Sequence, residues 1–222
     1  MACQSLRFTK INPRKYFMSN KKWLLPILPY IAVVAGMYLF KNAWVALLGF
    51  HASILIMLAV VHPNIPVSVL FKSKSPKWIL ISVLVCGTSG FGLYFLWNMF
   101  GITPDLSAQL GSMGLKSSTS WLLFITYFSL VNPFIEEYFW RGYLGSTTKK
   151  FYIGDAVYAG YHTLVLWGKV HPVVILLALI VLISAGWFWR QISREDEGLL
   201  AAVLGHMVAD FSILFVVYLM CT

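Results

Sequence analysis

The 222-residue chain is poor in charged side chains. Asp, Glu, Lys and Arg together make up 11% of its residues, against about 25% in a typical soluble domain. Hydrophobic residues reach 59%, and the mean hydropathy is +0.76. A soluble fold of this size could not cover so much apolar surface with so few polar side chains, whereas a lipid bilayer requires no such covering. The lack of charge therefore excludes an ordinary soluble domain and predicts an integral membrane protein with a single membrane domain.

Acidic residues are the scarcest charged group, with 8 Asp and Glu against 17 Lys and Arg. The resulting charge of +9 does not indicate nucleic-acid binding, because the basic residues form short clusters between apolar runs. Such clusters keep loops in the cytoplasm and attract anionic lipid headgroups. We therefore expect a basic cytoplasmic N-terminal segment at 1–22, a transmembrane helical domain at 23–222, and membrane lipids as partners.

The three cysteines form no CxxC pair and show no metal-ligand spacing, so we assign no disulfide and no redox role. Alternation typical of strands and internal repeats are also missing, which favours an all-α fold. Tryptophans near the ends of the apolar runs, such as Trp78, Trp121, Trp167 and Trp189, fit an aromatic belt at the membrane surface.

Seven apolar runs approach the length of about 20 residues that a membrane-spanning helix needs. They cover residues 23–40, 43–61, 78–100, 121–140, 152–167, 172–189 and 199–219. The 152–167 run is short and polar enough to require shielding by its neighbours or a partly re-entrant path. An eighth, poorly apolar helix within 104–120 would reverse the membrane orientation of the C-terminal half.

We predict a polytopic transmembrane helix bundle of seven to eight helices with a buried polar site. Basic residues alternate coherently between the gaps, which places the N-terminus in the cytoplasm.

The first polar cluster in these runs contains two adjacent carboxylates. Glu137 and Arg141 are four residues apart and can pair across one helical turn. Glu136 is rotated by about 100° from Glu137 and can project into a cavity. Two adjacent carboxylates cannot both ionise cheaply in a low dielectric, so the one that Arg141 does not stabilise is suited to general acid or base chemistry. The alternative, an ion pair that closes a helix end, accounts for Glu137 and Arg141 but not for Glu136.

Two further clusters each place a histidine one turn from another functional side chain. Tyr158 and His162 are four residues apart, as are His206 and Asp210. Ionisable groups at membrane depth usually face the bundle interior and serve a function. The simpler interpretations are an interhelical hydrogen bond for His162 and a purely orienting role for Asp210.

Combined, these residues suit hydrolysis by an activated water molecule. Glu136 and His162 would activate the water, and His206 with Asp210 would stabilise the developing oxyanion. We assign no cofactor, although Glu136, His162 and His206 could instead bind a divalent metal. The remaining histidines, His51, His62 and His171, are interpreted as structural. Asp155 is expected to cap the helix that carries His162.

The order Glu-Glu-x-x-x-Arg, aromatic-x-x-x-His and His-x-x-x-Asp on successive apolar runs resembles a known family over residues 121–219. It is similar to the CAAX protease and bacteriocin-processing (CPBP, or ABI) family of intramembrane glutamic endopeptidases. The resemblance implies a bundle of about eight membrane helices. It also implies that Glu136 is the catalytic glutamate, aided by His162.

The same resemblance assigns supporting roles to the other residues of the three motifs. Glu137 and Arg141 would support the site, and His206 with Asp210 would form the oxyanion-binding pair. The chain departs from the family pattern at Tyr158, where phenylalanine is usual, and at Asp210, where asparagine is common. An aspartate donates a hydrogen bond only when protonated. Asp210 is therefore protonated, orients His206, or binds a metal.

The sequence predicts an intramembrane endopeptidase that hydrolyses a peptide bond in a membrane-associated protein or peptide. Two other functions remain open. A non-catalytic immunity or scaffold protein could retain such a site for binding, and a small-solute transporter could use the buried Glu and His as a relay. The short loops and basic N-terminus favour a bacterial inner membrane.

Overall fold

The computed structural model describes residues 24–222, which form helices and loops with no β-strand. Its α-helices are α1 (Ile27–Val34), α2 (Ala43–Val61), α3 (Pro76–Leu96), α4 (Leu106–Ser112), α5 (Ser118–Glu137), α6 (Ile153–Leu166), α7 (Pro172–Asp196) and α8 (Leu200–Cys221). Wider π-helical turns extend α1 through Ala35–Leu39 and α5 through Tyr138–Tyr143. The all-α prediction is confirmed, whereas the basic segment 1–22 lies outside the described residues.

Polar caps define where several helices begin. The Asn42 side chain accepts hydrogen bonds from two backbone amides at the start of α2. Ser75 caps α3, whose first residue is proline. Ser117 and Ser120 form a reciprocal capping box at the start of α5. These side chains satisfy amides that have no partner within the helix itself.

Five helices are long and apolar enough to cross a membrane by length and composition. They are Ala43–Val61, Pro76–Met99, Ser118–Tyr143, Pro172–Asp196 and Leu200–Cys221. A shorter apolar helix covers Ile27–Leu39. At 1.5 Å per residue the 14 residues of α6 extend for about 21 Å, less than the hydrocarbon core of about 30 Å. The chain is thus an integral membrane protein, and α6 has the short length that the 152–167 run predicts.

The region 104–120 contains one short helix. Helix α4 has 7 residues and extends for only about 10 Å, so it cannot cross a bilayer. Residues 24–222 thus form a polytopic bundle of eight α-helices, of which five are long and apolar enough to cross a membrane. The eighth crossing considered for 104–120 is not present.

Helix α8 packs against α3 and α5, while α6 packs against α7. Small residues permit the α3–α8 contact. A Cβ atom placed on Gly205 would lie 2.0 Å from the Ser82 hydroxyl oxygen. One placed on Gly90 would lie 2.7 Å from the Ser212 carbonyl oxygen. This close approach positions the face of α8 that carries His206.

The loops that are rich in lysine and arginine meet at one end of the bundle. Lys74 forms a 2.7 Å ion pair with Glu197, and Arg190 donates a 2.7 Å hydrogen bond to the Lys150 carbonyl. At the other end the Lys169 carbonyl accepts a hydrogen bond from the Thr103 amide. The packing therefore agrees with the charge alternation seen in the sequence.

The aromatic-belt interpretation is wrong for two of the tryptophans. Trp121 and Trp189 have only 2% and 3% of their surface exposed. Trp121 packs against Tyr218, and Trp189 lies against His206 inside the bundle. Their aromatic surface serves internal packing, whereas Trp167 is 65% exposed.

Candidate active site

The C-terminal half of α5 carries the two adjacent glutamates, both of which are buried. Glu136 is 1% exposed and Glu137 is fully buried. They follow Pro133, which lacks an amide hydrogen for the helix, and they precede the π-helical turn. Wider turns of this kind occur frequently at functional sites. The two carboxylates face different neighbours, as their rotation about the helix axis predicts.

Glu137 joins Arg141 and His206 in a buried ionic cluster. Its Oε1 atom lies 3.2 Å from Arg141 Nη1 and 2.8 Å from His206 Nδ1. The predicted Glu137–Arg141 pair is therefore present, and His206 reaches the same oxygen from α8. The Arg141 guanidinium lies 3.9 Å from the centre of the Tyr158 ring and 5.1 Å from that of Trp189, within the range of cation–π attraction.

Glu136 faces α6 instead. Its Oε1 atom accepts a 2.5 Å hydrogen bond from the Tyr161 hydroxyl. Its Oε2 atom has no hydrogen-bond partner among residues 24–222. Burying a carboxylate oxygen without a hydrogen-bond partner costs free energy, so such an atom calls for an explanation. In Glu136 this oxygen is free to accept a proton.

His162 lies beside the Tyr161–Glu136 hydrogen bond. Within residues 24–222, His162 and Glu136 share no hydrogen bond. Its ring stacks on Tyr161 with 4.0 Å between the centres and meets the edge of Tyr158 at 5.4 Å. The Nδ1 atom of His162 is buried and has no hydrogen-bond partner within the described chain. Tyr161 therefore links Glu136 to His162.

His206 and Asp210 lie on one face of α8, as their spacing predicts. The His206 Nε2 atom is 3.5 Å from Asp210 Oδ1, and the ring stacks on Trp189 at 4.5 Å. The rings of His206 and Tyr158 are nearly perpendicular, with 6.3 Å between their centres. The Tyr158 ring thus touches both histidines, which brings α6 and α8 together at one site.

Asp155 caps α6 as expected and also anchors it to α7. It accepts a hydrogen bond from the Tyr152 amide and forms a 2.7 Å ion pair with Arg190. Arg190 further donates to the carbonyls of Thr148 and Lys150. This cluster fixes the start of the helix that carries His162.

Four residues at the site do not belong to the predicted set: His51, Asn132, Tyr161 and Trp189. Asn132 donates a 3.2 Å hydrogen bond to Asp210 and lies 2.9 Å from His51. The position of His51 in the middle of an apolar run could have identified it, because ionisable groups inside membranes are costly. No periodicity marks Tyr161 or Trp189, whose roles depend on contacts between helices.

The proposed metal ligands do not form an evident metal centre. Within the described part of the chain, no three His, Cys, Asp or Glu side chains are arranged so that they could hold an ion. Each of the three proposed ligands contacts an aromatic ring: Glu136 and His162 contact Tyr161, and His206 contacts Trp189.

The fold and the site define a polytopic helical membrane protein with two glutamates, an arginine and His206 buried inside the bundle. Residues 118–212 match the model of a protein family described as type II CAAX prenyl endopeptidase Rce1-like. The matched region begins with α5 and ends in α8, so it includes all six predicted site residues. The match confirms the resemblance to the CAAX protease family, which is a family of intramembrane proteases. No curated protein and no solved structure matches the chain.

Proposed function

We propose that this protein is an intramembrane endopeptidase in which Glu136 is the general base. The observation that carries the proposal is the buried Glu136 carboxylate, which has one oxygen held by Tyr161 and the other without a partner. A buried base with a free oxygen can bind and deprotonate a water molecule. We assign to His162, whose ring stacks on the same tyrosine, the role of orienting that water.

The reaction requires two proton transfers by Glu136. Its free oxygen removes a proton from water while the water oxygen bonds to the carbonyl carbon of the peptide bond. The carbonyl oxygen becomes an oxyanion. Glu136 then gives the proton to the amide nitrogen, the carbon–nitrogen bond breaks, and the carbonyl re-forms as a carboxylic acid.

His206 is the proposed donor to the oxyanion. Its two ring nitrogens face the carboxylates of Glu137 and Asp210, an arrangement that suits a ring with hydrogen on both nitrogens. The Nδ1 contact to Glu137 is short. The Nε2 contact to Asp210, at 3.5 Å, is longer than an ordinary hydrogen bond, so its hydrogen is available to the substrate. Glu137 and Arg141 hold the ring in place.

The substrate we propose is a membrane-associated protein or peptide that reaches the site at the basic end of the bundle. A cavity of about 280 Å³ opens there, with Arg141, Ser146 and Arg194 among its lining residues. The name of the matched family suggests a prenylated CAAX peptide as the first probe. We further propose a bacterial inner membrane, with the N-terminus and this basic end in the cytoplasm.

The central test compares Glu136→Gln with the wild type in liposomes that contain a prenylated CAAX peptide or its unprenylated form. Loss of general base catalysis should lower kcat by about 10²–10⁴-fold. Asp105→Asn is the matched control, because it makes the same carboxylate-to-amide change at an exposed residue that bonds to Gln109, at the opposite end of the bundle from the cavity. The control should retain wild-type activity. Undiminished cleavage by Glu136→Gln would refute the proposal. Full biological function in this variant without any cleavage would indicate a non-catalytic membrane partner.

A further inference from the structure

A chain of buried polar side chains leads from α2 to Asp210. His51 Nε2 lies 2.9 Å from Asn132 Oδ1, and Asn132 Nδ2 donates to Asp210 Oδ2 over 3.2 Å. His51 Nδ1 lies 3.2 Å from the Tyr127 hydroxyl. His51 and Asn132 are only 2% and 1% exposed. Three helices, α2, α5 and α8, thus contribute to one polar path that ends beside His206.

The chemistry of the groups sets the direction of these hydrogen bonds. The amide nitrogen of Asn132 faces Asp210 and donates to its Oδ2 atom. The Asn132 oxygen then faces His51 and accepts from the Nε2 hydrogen. A neutral His51 has Nδ1 as an acceptor, which leaves the Tyr127 hydroxyl as the donor at the start of the path. Every donor in the path has one acceptor.

The path constrains the carboxylate that faces His206. Asn132 holds Oδ2 of Asp210, which leaves Oδ1 facing His206 Nε2 at 3.5 Å. Burying the polar side chains of His51, Asn132 and Asp210 at membrane depth costs free energy, and apolar residues could pack α2 against α5 without that cost. A role for the orientation of Asp210 in the reaction explains why polar residues are present here.

We propose that His51 and Asn132 are positioning residues that orient Asp210 and, through it, the imidazole of His206. This inference rests on the proposed function, in which His206 stabilises the oxyanion. His51 holds the Asn132 amide in one orientation. Asn132 then holds the Asp210 carboxylate, and the carboxylate, 3.5 Å from His206 Nε2, acts by charge attraction on the orientation of the ring while the Nε2 hydrogen stays available to the reacting carbonyl.

Two substitutions at His51 separate positioning from packing. In His51→Gln the side-chain nitrogen occupies the place of Nε2 and can still donate to Asn132. In His51→Asn the nitrogen occupies the place of Nδ1, so the donor to Asn132 is lost. With the prenylated CAAX peptide in liposomes, His51→Asn should lower kcat by about 10–100-fold at unchanged KM, since small misalignments have such effects. His51→Gln should stay within about threefold of the wild type.

A double-mutant cycle tests whether His51 acts through Asp210. Adding His51→Asn to Asp210→Ala should cause no further loss of kcat, because the connection is already broken. Equal activities of His51→Asn and His51→Gln, or full additivity with Asp210→Ala, would overturn the positioning role. Either result leaves the proposed function intact as long as Glu136→Gln is inactive.

A spectroscopic measurement tests the inference without any substrate. In protein labelled with ¹⁵N-histidine, His51→Asn should shift the ring-nitrogen resonances of His206, whereas His51→Gln should leave them near their wild-type positions. His206→Gln identifies the resonances by their disappearance. Unchanged His206 resonances in His51→Asn would overturn the inference even if the protein cleaves no available peptide.

Discussion

At the residue scale, Arg141 connects the charged and aromatic parts of the site. Its guanidinium pairs with Glu137 and lies over the Tyr158 ring, with only 3% of its side chain exposed. A buried ion pair is weak support for stability while intact, but removal of one partner leaves an uncompensated charge. The sequence predicted the pair from its spacing, whereas its connection to His206 depends on α8.

Arg141→Met should destabilise the protein by about 3–5 kcal/mol, because the buried Glu137 would lose its arginine partner and keep only the contact with His206. Unfolding in mixed detergent micelles measures the change. Lys74→Met is the control, since it removes a cation from the exposed Lys74–Glu197 pair and should leave the unfolding midpoint unchanged. Equal effects of the two substitutions would contradict this account of Arg141.

At the element scale, the close contact between α3 and α8 determines where His206 lies. Gly205 immediately precedes His206 and faces Ser82. A larger side chain would separate the two helices, and the histidine would move with α8. Position 205 is therefore coupled to activity although it carries no reactive group.

Gly205→Ala should lower both stability and kcat, because its Cβ would lie 2.0 Å from the Ser82 hydroxyl oxygen. Combining it with Ser82→Gly removes that oxygen and should recover much of the activity. The matched control is Gly92→Ala in α3, where a Cβ meets nothing within 4 Å. There the substitution should stabilise the helix by up to about 1 kcal/mol. Failure of the double substitution to recover activity would contradict the steric explanation.

At the scale of the whole molecule, two ends of the bundle differ in charge. Lys74, Lys149 and Lys150 lie at the end beside the cavity that includes Arg141. Lys169 lies at the opposite end. The rule that basic loops stay in the cytoplasm predicts that the cavity opens to the cytoplasm.

Cysteine labelling in right-side-out vesicles tests this orientation. In a background with Cys3→Ser and Cys221→Ser, an impermeant maleimide should label Lys116→Cys in intact vesicles and Lys149→Cys only after permeabilisation. Both positions are exposed, and the remaining native cysteine, Cys86, is buried. The reverse labelling pattern would show that the basic end faces outward.

The sequence by itself determined the class of protein and the helices that carry the site. Apolar runs of membrane length form helices however those helices pack together, because a backbone in lipid must satisfy its own hydrogen bonds. Spacing within one helix was equally informative, since residues four apart share a face. The Glu137–Arg141 pair and the His206–Asp210 contact follow from that local geometry.

Only the tertiary structure decided which side chains of different helices meet. The Glu137–His206 contact, the Tyr161 hydroxyl on Glu136 and the approach of His51 to Asn132 all join different helices. The burial of Trp189 has the same origin. Helix periodicity reports the direction of a side chain about its own axis and contains nothing about the rotation of a neighbouring helix. Packing sets that rotation, and here it depends on close contacts such as the one between Gly205 and Ser82.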